Sequence, residues 1–143
     1  MTKQYLKALF QYLLVTLVSV SQASLAATEE SAVTEAMLDN GMKILVKPDN
    51  RAPVVVAQVW YRIGSSYEPD GLTGVSHVLE HMMFKGTARY GNGEFNRIIA
   101  ENGGKDNAFT GRDYTAYFQT LEKSRLPVSM ELESDRMQGL LLD

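Results

Sequence analysis

His77-Val78-Leu79-Glu80-His81 holds the only two histidines of a 143-residue chain, four positions apart, with a glutamate immediately before the second. Random reordering of the same composition reproduces that arrangement in about one sequence in a thousand. The flanks read as a helix: Thr73 or Ser76 supplies a starting cap, and Gly86 stands where a left-handed stop falls. At about 100° of turn per residue, Leu72, Val75, Val78, Leu79, Met82 and Met83 gather on one arc, with His77, Glu80 and His81 opposite. The pattern predicts a helix that packs by its apolar arc and presents two imidazoles and a carboxylate outward.

Side chains four apart on a helix stand about 5–6 Å from each other at Cβ, so two imidazoles there can share one ion. Neutral imidazole is a good zinc ligand, and a catalytic zinc takes about three protein ligands plus a water whose pKa falls to about 7. On this reading His77 and His81 are metal ligands. Glu80 is the general base, taking a proton from the water and later delivering it to a leaving amine. The competing reading is a solvated polar face, but lysine, glutamate, glutamine or serine would ordinarily fill one. Placing both histidines of the chain on that face argues against it.

The five residues form the inverted zinc motif H-x-x-E-H. The run Gly74-Val75-Ser76-His77-Val78-Leu79-Glu80-His81-Met82-Met83-Phe84-Lys85-Gly86-Thr87 closely resembles the motif helix of the pitrilysin/insulinase family of zinc peptidases, which includes the mitochondrial processing peptidases and bacterial relatives. Asn102-Gly103-Gly104 and Asn107-Ala108-Phe109-Thr110-Gly111-Arg112-Asp113-Tyr114-Thr115-Ala116-Tyr117 resemble the family's second recognisable segment. The resemblance runs from about Thr34 to the end of the chain. It implies Zn2+ as cofactor and cleavage of extended peptides. It also implies that Asn107-Ala108-Phe109-Thr110 forms an edge strand to which the peptide substrate adds itself by main-chain pairing, with Asn107, Ala108 and Phe109 as the residues that meet it. In the family a glutamate well downstream is the third ligand, which in this numbering falls past Asp143; only 62 residues follow His81. Family members are longer, with two or more similar domains around a substrate chamber. The chain therefore reads as the N-terminal portion of one such domain, with low activity alone, and a partner subunit or C-terminal domain as its complement. A non-catalytic peptide-binding or assembly subunit is the alternative, and the intact five-residue motif favours the enzyme.

Residues 1–26 read as a signal peptide: Lys3 and Lys7 give a basic start, residues 8–20 are mostly apolar, and Ser24-Leu25-Ala26 offers small residues for cleavage. The apolar run is shorter than the roughly 20 residues that span a bilayer, so the expectation is export to a periplasm with no stable membrane span after cleavage. The chain has no cysteine, so the exported domain relies on its apolar core instead of disulfides. Its 14 basic and 17 acidic residues become 12 and 17 once Lys3 and Lys7 are removed, a net of −5. No basic patch interleaved with aromatics occurs, which argues against nucleic acid as a partner. Residues 27–143 are long enough for one small domain and contain no repeat.

Asp39-Asn40-Gly41 between two alternating runs predicts a hairpin. Residues 54–63, rich in β-branched and aromatic types, read as a buried strand with Trp60 and Tyr61 in the core or lining it. Glu68 reads as a surface loop carboxylate. Asn92 is expected to cap a helix over residues 94–102, with Phe95, Ile98, Ile99 and Asn102 on its packing stripe and Gly103-Gly104 ending it. Residues 105–110 and 113–121 read as two strands joined at Gly111-Arg112. A last helix is expected to start at a Ser124 cap, with Leu126, Met130, Met137 and Leu141 as its core face. Glu131, Glu133 and Asp135 are expected on a solvated face. Together these elements predict an α+β domain, a mostly antiparallel sheet with helices on one face, as in the N-terminal part of a pitrilysin-type domain.

Overall fold

Asn40 and Gly41 reverse the chain between β1 (Thr34–Met37) and β2 (Lys43–Val46), which pair antiparallel from Thr34↔Val46 to Met37↔Lys43. Gly41 takes φ 84°, where a side chain is disfavoured, and Asn40 Oδ1 accepts from the Met42 amide at 3.0 Å. This hairpin belongs to the first of two compact units, divided after Asp49. A computed structural model describes residues 32–142, so the expected signal peptide lies outside the described residues.

The second unit contains a three-stranded antiparallel sheet in the order β3 (Val54–Tyr61), β5 (Thr115–Glu122), β4 (Lys105–Thr110). Period-two alternation divides its side chains between two faces. Val55, Tyr61, Tyr117, Gln119 and Leu121 share one face with Asp106, Ala108 and Thr110 through the registers Ala57↔Gln119 and Ala108↔Tyr117. Helices α1 (Val75–Met82), α2 (Glu94–Glu101) and α3 (Leu126–Gly139) pack on that face. The architecture is the expected α+β arrangement. Trp60 and Phe109 flank the small Ala116 on the other face and remain half exposed, so Trp60 is not a core residue.

The core is small: Phe95, Ile99, Leu121 and Leu132, with Val55, Tyr90, Ile98 and Val128 packed against it. Helix α2 buries its expected stripe through Phe95 and Ile99. Its start is different, because Gly93 at φ 78° is the N-cap, and the Glu94 side chain accepts from the Gly91 amide at 2.8 Å in place of Asn92.

Helix α3 departs from expectation. Its buried residues are Ser129, Leu132, Glu133 and Arg136, a face turned by about 100° from the expected one, while Met130 and Leu141 are exposed. Glu133 is not solvated: it accepts from Gln119 Nε2 and pairs with Arg136, whose side chain is 3% exposed. The guanidinium lies 4.4 Å from the ring centres of both Phe95 and Tyr117. Buried charges are retained when paired and stacked in this way, and an apolar periodicity cannot register them. The expected Ser124 cap is also replaced: Ser124 lies in a 3-10 turn (Lys123–Arg125), where the Glu122 carboxylate accepts from its amide at 2.9 Å.

Candidate metal centre

Helix α1 does not turn its apolar arc inward. Leu72, Val75, Val78 and Leu79 are exposed, and the buried positions are Ser76 and Glu80. The buried seam runs between the apolar arc and the histidine pair, so Glu80 goes in while His77 and His81 stay accessible. Hydrophobic patterning identifies two faces of a helix but not which edge meets the sheet, and here the edge carrying Glu80 meets it through a hydrogen bond. Thr110 Oγ1, on the helix face of β4, donates to Glu80 Oε2. Glu80 Oε1 takes no hydrogen bond from any described residue.

His77 Nε2 and His81 Nε2 stand 3.2 Å apart, with ring centres at 4.8 Å. Two nitrogens at 3.2 Å, each about 2.0–2.1 Å from a common zinc, subtend about 100° at it, close to tetrahedral. The donor set therefore fits two of the positions around such an ion. No cluster of three His, Cys, Asp or Glu able to hold a metal exists among the described residues. The acids of α3 are engaged elsewhere: Glu131 with Arg89 and Tyr90, Glu133 with Arg136, Asp135 with Thr87.

The helix start is held from outside. Gly74, at φ 93°, is the N-cap and offers no side chain, and neither Thr73 nor Ser76 caps. Glu68 does so instead, its two carboxylate oxygens accepting from the Gly74 amide at 2.8 Å and the Ser76 amide at 2.9 Å. These backbone donors, Gly74 first, hold its carboxyl below the usual glutamate range. The surface loop carboxylate expected at Glu68 thus anchors the motif helix. The 3-10 turn before it (Ser65–Tyr67) is fastened to the β4–β5 turn: Ser65 N reaches Gly111 O at 3.1 Å and Ser66 N reaches Arg112 O at 2.8 Å. A Cβ on Gly64 would stand 2.4 Å from Gly111 O, so the two segments close only on a glycine.

These links enclose a cleft of about 450 Å³. Its walls include Glu68, His77 and Glu80 on one side and Ala108, Phe109 and Thr110 on the other. His81 adjoins the cleft through His77. Strand β4 is at the sheet edge, paired on one side only. Of the three residues expected to meet substrate, Ala108 and Phe109 line the cleft. Asn107 is not in its lining, and its Oδ1 accepts from the Ala108 amide at 2.9 Å. The hydrogen bonds of Thr110 to Glu80 and of Glu68 to the start of α1 were not foreseen from the sequence. For Thr110 the signal was present, since period two puts it with Ala108 on the helix face.

Among the described residues no helix is long and apolar enough to cross a membrane. The sequence matches the family described as Insulinase (Peptidase family M16) over residues 43–143. It is 36% identical to zinc protease PqqE of Helicobacter pylori over 96% of this chain and 30% of that protein. It is also 36% identical to the mitochondrial-processing peptidase subunit beta of Dictyostelium discoideum, over 85% of this chain and 25% of the relative. The crystal structure of a protease from Helicobacter pylori superposes with a TM-score of 0.77 at 34% identity, covering 79% of this chain and 27% of that one. The chain thus spans less than a third of the length of these relatives. The motif helix, the edge strand beside it and these matches together make the chain a member of the insulinase family of peptidases, M16.

Proposed function

We propose that the protein is a zinc-dependent endopeptidase acting on extended peptides, and the observation that carries this is the pair of Nε2 atoms 3.2 Å apart beside a buried glutamate in a cleft walled by an edge strand. His77 and His81 would hold the ion, with a third ligand supplied from outside the described residues. Zinc, when bound, supplies a water acidified toward neutral pH and a Lewis acid for the scissile carbonyl. Glu80 accepts the proton of the attacking water at its free oxygen and returns it to the leaving amine. The free edge of β4 pairs with the peptide main chain at Ala108 and Phe109, which selects extended conformation more than sequence. Relatives named zinc protease support the metal, and the basic, apolar and small-residue order of residues 1–26 supports export to a periplasm.

Glu80→Gln in the zinc-loaded protein is expected to lower peptide cleavage by about 10²–10⁴-fold, the usual contribution of a general base, with zinc content unchanged. His77→Ala is expected to lower zinc content itself. Undiminished cleavage by the Gln variant sinks the assignment. A second reading, a peptide-binding or assembly subunit, draws on the relative named as a subunit and on the incomplete ligand set among residues 32–142. Peptide binding with no cleavage under zinc saturation would favour it.

A further inference from the structure

We infer that Thr110 is a positioning residue that aims the Glu80 carboxylate and ties it to the substrate-binding strand. This rests on Glu80 being the base, as proposed above. The Thr110 hydroxyl donates to Glu80 Oε2, which leaves Oε1 as the oxygen that receives the proton. Glu80 is 8% exposed, and Thr110 is the one described residue that hydrogen-bonds its side chain. Without this donor one carboxylate oxygen lies buried and unpaired, and the side chain loses what fixes its rotamer.

The position of Thr110 in the fold adds a second effect. It belongs to β4, whose main chain at Ala108 and Phe109 lines the same cleft. Its register partner Thr115 is committed elsewhere, donating to Ile63 O at 3.0 Å, so only Thr110 links the sheet to the base. A peptide paired to the edge of β4 and a carboxylate bonded to β4 share one rigid frame. Their relative placement then follows from a single strand and not from the docking of a helix. Misplacement of a catalytic group by about 1 Å costs on the order of 100-fold in rate, so such a link acts on turnover and not on affinity.

The test uses the full-length zinc-loaded protein and a fluorogenic extended peptide. Thr110→Val keeps the β-branched shape but removes the donor. It is expected to lower kcat by about 10–100-fold, with KM within about twofold and zinc content unchanged. Thr110→Ser is expected to restore kcat to within about threefold of the parent. Adding Thr110→Val to Glu80→Gln is expected to change nothing further, because the threonine acts only through the glutamate. Full activity of the Val variant, failure of serine to rescue, or a loss confined to KM would each overturn the role of Thr110 alone. Full activity of Glu80→Gln would overturn the base assignment and this inference with it. If the parent cleaves nothing, crystal structures decide: Glu80 swinging away in the Val variant supports the inference, and an unmoved carboxylate overturns it.

Discussion

Helices α2 and α3 pack on the same face of the same sheet, yet they bury opposite kinds of residue. Helix α2 inserts Phe95 and Ile99, and its charged residues Glu94, Arg97 and Glu101 pair with one another at the surface. Helix α3 inserts Ser129, Glu133 and Arg136 beside the single apolar Leu132 and leaves Met130 exposed. The strand opposite explains the contrast. Gln119 of β5 is 1% exposed, and both its amide ends need partners, which Ser129 and Glu133 provide. One polar residue in the middle strand thus accounts for two of the polar residues on that helix face, Ser129 and Glu133. The apolar face of α2 can lose atoms and relax, whereas the polar face of α3 fails when any member is removed.

The largest effect should come from Arg136→Ala, which strands Glu133 as a buried lone charge and empties the space between Phe95 and Tyr117. About 4 kcal/mol of stability should be lost, read from the urea midpoint. Ile99→Ala leaves a cavity in the four-residue core and should cost about 3 kcal/mol by the same measurement. If Ile99→Ala proves the more damaging, the contrast between the two helices fails. Met130→Ser, on the face that periodicity marks as core, should change stability by less than about 0.5 kcal/mol. A loss of more than about 2 kcal/mol there would return the inner face of α3 to its apolar residues.

The same contrast explains how much was legible in the sequence. The hairpin at Asn40-Gly41, the alternation of β5 and the stripe of α2 follow from local turn chemistry and hydrophobic period, which a sequence displays directly. The H-x-x-E-H helix was legible as an element carrying two imidazoles side by side, but its orientation was not. In that orientation Glu80 meets Thr110, thirty residues away in the chain. Glu68 was read correctly as a surface loop carboxylate, but its capping of α1 was not foreseen, because a loop acid caps or not according to what the fold brings to it. On α3 both candidate faces share one helical period and lie about 100° apart, so periodicity alone could not choose between them. What was not foreseen in each case was how a charged or polar residue would be satisfied.

The union of the Ser65–Tyr67 turn with Gly111 and Arg112 carries a consequence for engineering and for natural variation. Exposed reversals between strands ordinarily accept extra residues without harm. Lengthening this one by a residue would pull Ser65 and Ser66 off their acceptors, loosen Glu68 from the first turn of α1, and shift both imidazoles without touching either. Tags, labels or inserted epitopes are better placed at Asn40-Gly41, whose hydrogen bonds close on the hairpin itself.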